Sequence, residues 1–265
     1  MKKSVVVLFL VAIILGVTWA VTATHVGAEG PARRIPILVE LFTSEGCSSC
    51  PPADALLASL DRSQPVAGAE LIVLSEHVDY WNYIGWTDPY SSHFYSERQS
   101  SYAQRLGRDG VYTPQMVVDG TREFVGSDAR SAAQALAEAV KAPKIRVQLS
   151  AVSVDAMKGV AARVETDVLP LSYGSDGGDV YVAIALSHAE SKVSRGENSG
   201  RRLTHTAVVR RLVKIGTIRL GQSFGADVQV KLEPGDGLQD LRLIAFVQEP
   251  GSGRIVGATG QAVGK

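Results

Sequence analysis

The chain has 265 residues, with 27 Lys and Arg balanced by 27 Asp and Glu, so its formal net charge is zero. That length suits one large domain or two ordinary ones, and a balanced charge carries no global field that would draw nucleic acid or an anionic membrane. A composition of 45% apolar and 20% charged residues excludes a disordered chain, and only two cysteines exclude both a disulfide-dense scaffold and a four-thiolate metal centre.

In chain order, Met1-Lys2-Lys3 precedes an uncharged, largely apolar run from Ser4 to Thr24, then the small residues Val26-Gly27-Ala28. This order reads as a signal peptide over residues 1–28, cut after Ala28, which places the remainder in the periplasm or outside the cell. An uncleaved anchor is the alternative, because the run approaches the roughly 20 apolar residues that span a bilayer. No other stretch is apolar enough to cross, so no stable span is expected once the signal is removed.

Residues 35–42 (IPILVELF) read as a strand buried on both faces, and Thr43-Ser44-Glu45-Gly46 breaks it. A helix follows from the Cys47-Ser48-Ser49-Cys50-Pro51-Pro52 segment to about Leu60, since prolines are tolerated in a first helical turn. Residues 71–75 form a second buried strand, which predicts a right-handed parallel crossover. Residues 77–110, rich in aromatic and polar side chains, read as an insertion containing a helix from about Ser92 to Leu106. Strands over 111–118 and 121–125 flank the Asp119-Gly120 hairpin turn, and Asp128 caps a helix over 129–141.

Beyond Lys144 the apolar period becomes two, with strand candidates at 145–149, 160–168, 180–187, 206–220, 227–232 and 241–248. The sequence therefore predicts an α/β domain over residues 33–142 followed by an all-β sandwich-like domain over 144–265, with the boundary at Ala142-Pro143.

The cysteines carry the chemistry. A disulfide closing so short a loop removes little unfolded-chain entropy, about 2 kcal/mol against about 3 for a 15-residue loop, so Cys47–Cys50 is a weak staple. A helix N-terminus, by contrast, stabilises a thiolate through its unpaired N–H groups and partial positive charge. Cys47 is expected to be the exposed nucleophile and Cys50 the resolving thiol, which releases the partner by forming the internal disulfide.

A C-x-x-C pair between a buried strand and a helix, with Thr113-Pro114 opening a later strand, resembles the thioredoxin superfamily. The resemblance implies a thioredoxin-like α/β domain in which Pro114 follows a cis peptide bond beside the cysteines and Thr113 presents backbone to a partner. More narrowly, the segment Glu40 to Asp54, together with His77-Val78-Asp79-Tyr80-Trp81 and Gly196-Glu197-Asn198-Ser199-Gly200, looks like a family of secreted bacterial thioredoxin-like proteins known only as a domain of unknown function. That resemblance supplies a fold and a location but no substrate, and Ser48-Ser49 departs from the Gly-Pro of thioredoxin itself.

The functional expectation is an exported thiol–disulfide oxidoreductase acting on protein thiols and disulfides through Cys47, Cys50 and Pro114, without a cofactor or a resident metal, and served by a membrane electron donor. Thr113, Trp81, His77 and Asp79 are the expected substrate-side residues. His77 or Asp79 would exchange a proton with Cys50, while Trp81, Tyr83 and Trp86 would form an apolar wall. The 196–200 loop with His205 is a candidate partner-recognition loop, or simply a turn. Two alternatives remain: a periplasmic Cu(I) carrier, and a non-catalytic binding module with a structural disulfide. Arg201-Arg202 and Arg210-Arg211 are too short to make a nucleic-acid patch, and no phosphate loop, nucleophile elbow or His-Glu-x-x-His pair is present.

Overall fold

The computed structural model describes residues 34–264, apart from 156, 158, 174–176 and 233–239. The expected signal peptide, residues 1–28, lies outside the described residues.

Strand β1 (Ile35–Thr43) is buried almost throughout, as an apolar run without alternation requires. It pairs in parallel with β2 (Ala69–His77), in register from Ile35 opposite Ala69 to Thr43 opposite His77. Helix α1 (Pro51–Ser63) makes the crossover, with prolines at its first two positions and Gln64 in the left-handed conformation ending it. Helix α2 (His93–Arg105) is capped by the Ser92 hydroxyl, which accepts from the Phe94 N–H. Strands β3 (Gln115–Val118) and β4 (Arg122–Val125) form a hairpin around Asp119 and Gly120, and both turn residues have positive φ. Such a turn matches the twist of the strands it joins. Asp128 caps α3 (Ala129–Ala139) by accepting from the Arg130 and Ser131 N–H groups.

The remaining chain supplies β5 (Val147–Asp155), β6 (Gly159–Thr166), β7 (Gly178–Lys192), β8 (Arg202–Ile218), β9 (Gly225–Val230), β10 (Leu241–Gln248) and β11 (Ile255–Val263). β5, β6 and β9 form a small antiparallel sheet.

The other strands overturn the predicted fold class. They join the first half in one eight-stranded mixed sheet, ordered β11-β10-β7-β8-β2-β1-β3-β4, and only three α-helices are present among the described residues. The molecule is mostly β, and an α/β thioredoxin-like domain followed by a separate sandwich is not what forms. The seam is β8 against β2, where Val208 pairs in parallel with Ser75. Period-two alternation reveals which side chains share a face, but not which strand will occupy an edge.

Both faces of the sheet are covered. On one side, α1 and α3 pack on Ile37, Val39, Leu41, Val73 and Met116. On the other, Leu38, Ile72 and Leu74 share a core with Val209, Ile244 and Phe246, which merges the two halves of the chain, and Tyr95 of α2 completes it. The small sheet covers Val182, Ile184 and Leu243 through Val160 and Val164.

A buried polar network ties α2 into the sheet. Arg98 donates to Glu40 at 2.7 Å, to Gln248 at 3.1 Å and to the Tyr102 hydroxyl at 3.0 Å. Tyr102 in turn donates to Glu40 at 2.5 Å. Burial, reinforced by the neighbouring Glu40 charge, holds the Glu76 carboxyl well above its ordinary range. Glu76 Oε1 also lies 3.5 Å from Arg98 Nε, so one guanidinium serves two buried carboxyl groups.

Candidate functional site

The site starts where β1 runs out. Beyond Thr43 the chain turns tightly, with the Cys47 N–H donating to the Ser44 carbonyl and the Cys50 N–H to the Cys47 carbonyl, both at 3.2 Å. Cys50 is the N-cap residue of α1, and the Ala53 and Asp54 N–H groups donate to its carbonyl. Cys47 and Cys50 are joined as a disulfide with their Cα atoms 5.4 Å apart. Pro51 and Pro52 lack N–H groups, which thins the set of donors a helix start ordinarily presents.

Neither sulfur-bearing residue faces solvent: Cys47 is 1% exposed and Cys50 0%. This corrects the expectation of an exposed Cys47. Ser48 and Ser49 are exposed instead, and the Ser49 hydroxyl lies 3.3 Å from the Cys47 sulfur.

The turn between β7 and β8 is bonded onto the backbone of this segment. The side-chain amide of Asn198, itself fully buried, donates to the Glu45 carbonyl at 2.8 Å and to the Cys47 carbonyl at 3.0 Å. The Asn198 oxygen accepts from Arg201 at 2.7 Å. The neighbouring Glu197 carboxylate accepts from the Ser48 N–H at 3.0 Å, and hydrogen bonding to Ser48, from its side chain first and its N–H second, holds it below the ordinary carboxylate range. The 196–200 segment is thus committed to contacts within the chain. Glu197, Ser199 and Gly200 nevertheless stay exposed.

A charged cluster lies around the same turn. Glu45 precedes Cys47 by two residues, and Asp54 is on the first turn of α1. Between them stands His205 of β8, with Nε2 3.3 Å from Glu45 Oε1 and Nδ1 3.6 Å from Asp54 Oδ1. Burial pulls the His205 pKa down, but the two carboxylates outweigh it and lift the value to about 10. His205 is therefore an imidazolium at neutral pH. The Trp86 indole N–H donates to the other Glu45 oxygen at 2.8 Å.

The expected residues divide. Gly46 lies against Trp81: a Cβ there would sit 2.9 Å from Trp81 Cβ. The Trp81 indole N–H donates to the Thr113 hydroxyl at 2.7 Å. The Thr113-Pro114 bond is cis, and Pro114 and Ala53 of α1 both border Gly126. Trp81 thus lies against the cysteine turn and is bonded to Thr113, while Pro114 packs around Gly126 with Ala53 of the helix that follows the cysteines. His77 is fully buried, and its Nδ1 is held 2.7 Å from Asp88, with the His205 ring centroid 4.7 Å away. Burial pushes the Asp88 carboxyl up, but His77 and the N–H groups of Glu45 and Tyr90 hold it below its usual value. Asp79 turns toward α2, accepting from the Ser96 hydroxyl at 2.6 Å with His93 3.3 Å away. Tyr83 is 80% exposed and walls nothing.

Glu45, Asp54 and Asp88 carry no mark of a site residue of their own in the sequence, and Glu197 and Asn198 stand out only as members of the 196–200 candidate loop. Glu45 and Asp54 flank the cysteines and could have been suspected. The others reach the turn only through folding.

Among the described residues, no group of three or more His, Cys, Asp or Glu side chains is placed to hold a metal ion, and no helix is long and apolar enough to cross a membrane. Each His205 nitrogen lies within ion-pair distance of a carboxylate oxygen, at 3.3 Å from Glu45 and 3.6 Å from Asp54.

Fold and site together define a mixed-sheet protein with a Cys-x-x-Cys disulfide at a helix start, bonded to a loop from distant sequence. The chain belongs to the family described as "Protein of unknown function (DUF1223)", whose model matches residues 38–248. Among solved structures, it is similar to protein AGR_C_4864 from Agrobacterium tumefaciens, with 27% identity, a TM-score of 0.66 and coverage of 88% of this chain and 96% of that one. It also shares its fold with HBP35 of Porphyromonas gingivalis, with 16% identity, a TM-score of 0.66 and coverage of 89% of this chain and 77% of that one. No curated protein matches the sequence.

Proposed function

We propose that the chain is a thiol–disulfide oxidoreductase that works outside the cytoplasm on cysteines of other proteins, through Cys47 and Cys50. The observation that carries the reading is the setting of the bridge. It links two cysteines three apart at the start of α1, at a turn flanked by the buried His205 with a carboxylate on either side. A bridge over so short a loop contributes little as a staple, whereas this setting suits sulfur exchange. In that chemistry a partner thiolate attacks the Cys47 sulfur and displaces Cys50, which leaves as a thiolate and takes up a proton. A second partner thiolate then attacks the partner sulfur of the mixed disulfide, so the partner leaves as a disulfide and Cys47 as a thiolate; in the opposite direction the Cys47 thiolate attacks a partner disulfide, and Cys50 re-forms the bridge and expels the partner thiolate. A groove of about 250 Å³ beside the helix start, lined by Pro51, Ala55, Arg201, Leu203 and Thr206, offers space for an extended partner segment.

The test is capture. The Cys50→Ser variant, unable to resolve mixed disulfides, is expected to accumulate covalent adducts through Cys47 when expressed in an exporting bacterium, seen as bands that collapse on reduction. The burial of both sulfurs favours a second reading, an inert structural bridge. On that reading Cys50→Ser gives no adducts, and the wild-type bridge resists reduction in the folded chain.

A further inference from the structure

We infer that the 196–200 loop is a redox-linked latch in which Glu197 sets the reactivity of Cys47. The proposal rests on the exchange reading and adds a regulation to the same site.

Glu197 is exposed, yet its carboxylate is tied to the N–H of Ser48, the residue immediately after Cys47. The prolines at the first two positions of α1 donate nothing. The Ser48 amide is therefore among the few backbone donors left near the Cys47 sulfur at the positive end of the helix. In the disulfide form the sulfur is neutral, and Glu197 can take that donor without opposition.

Reduction changes the charge. A small dithiol transfers two electrons and two protons to the bridge and leaves as its own cyclic disulfide, so Cys47 and Cys50 become thiols. When the Cys47 thiol gives its proton to solvent, a thiolate forms one residue from the Glu197 carboxylate. Two anions then compete for one amide, and the thiolate sits on a residue almost wholly shielded from water while the loop is bonded down on its backbone. Both penalties disappear if the loop lifts. Lifting also breaks the two Asn198 bonds to the Glu45 and Cys47 carbonyls, so the loop moves as a unit. The disulfide form is thus latched and the thiolate form open. By linkage, the closed latch favours the disulfide.

The experiment uses the full chain at about pH 8.5, near the ordinary thiol pKa. Hydrogen exchange is followed at the Ser48 amide before and after reduction with dithiothreitol, and the disulfide–dithiol equilibrium is measured against dithiothreitol for the wild type and Glu197→Gln. Glutamine keeps an acceptor for the Ser48 N–H and removes only the charge. The expected results are a Ser48 amide protected in the disulfide form and released in the reduced form, and an equilibrium shifted about two- to five-fold toward the dithiol in Glu197→Gln. Equal Ser48 protection in both forms, or a wild-type equilibrium in Glu197→Gln, overturns the latch. Because the reductant is a small dithiol, the result is independent of capture: Ser48 release without adducts in Cys50→Ser upholds the latch and removes the protein-partner reading.

Discussion

His205 is an imidazolium set between Glu45 and Asp54, and its pKa of about 10 makes it a reporter of folding. The folded chain binds this proton more tightly than the unfolded chain, whose histidine titrates near 6.5. The stabilisation is complete below that value and is lost as the pH rises through about 10. Replacing His205 with Gln leaves two buried carboxylates facing each other without their cation, which is expected to cost about 3–5 kcal/mol in denaturant unfolding at pH 7. The variant should also lack the wild type's decline in stability between pH 7 and 10. A variant that keeps that decline would show that another group causes it. In the sequence His205 stands out only as a neighbour of the Gly-Glu-Asn-Ser-Gly segment, because nothing local marks a β-strand histidine as the partner of acids 150 or more positions away.

At the level of elements, the β1–α1 turn and the segment after β2 are fitted to each other through Gly46. A methyl group at this position would meet Trp81 Cβ at 2.9 Å and the Trp81 carbonyl at 3.2 Å, both too close to accept. Gly46→Ala is expected to push Trp81 away and break its bond to Thr113, at a cost of about 1–3 kcal/mol. Denaturant unfolding measures the cost, and a red shift in tryptophan emission reports the displaced indole. Most of these elements were readable in advance. The apolar runs of β1 and β2, the prolines opening α1, the Asp119-Gly120 turn and the Asp128 cap are local signals with local causes. β11 was not, because Gly251-Ser252-Gly253 and Gly257 break the apolar pattern on either side of its start. Gly257 is there because Ile145 approaches, with its carbonyl 2.6 Å from where a Cβ would sit.

Across the whole molecule, the single large sheet predicts one cooperative unfolding unit where a two-domain chain would show two. Phe246 of β10 stacks on Tyr181 at 5.2 Å, lies under the Arg98 guanidinium, and shares a core with Leu38, Ile72 and Leu74. Phe246→Ala is expected to cost about 3–5 kcal/mol and to lower the amide protection of β1 and β2 together with that of β10. Protection lost in the second half alone, or two resolved thermal transitions, would show that the halves fold separately.

Chain-local chemistry was enough to locate the cysteine pair at a helix start, the crossover around it, and the proline-bearing hairpin that follows. Each of these depends on backbone preferences and apolar spacing within about fifteen residues. The shared sheet, the burial of the sulfurs and the Glu197 and Asn198 contacts depend on which distant edges and turns meet. A strand's pattern of apolar residues states how many of its faces will be covered, and leaves the covering partner to be chosen by packing across the assembled fold.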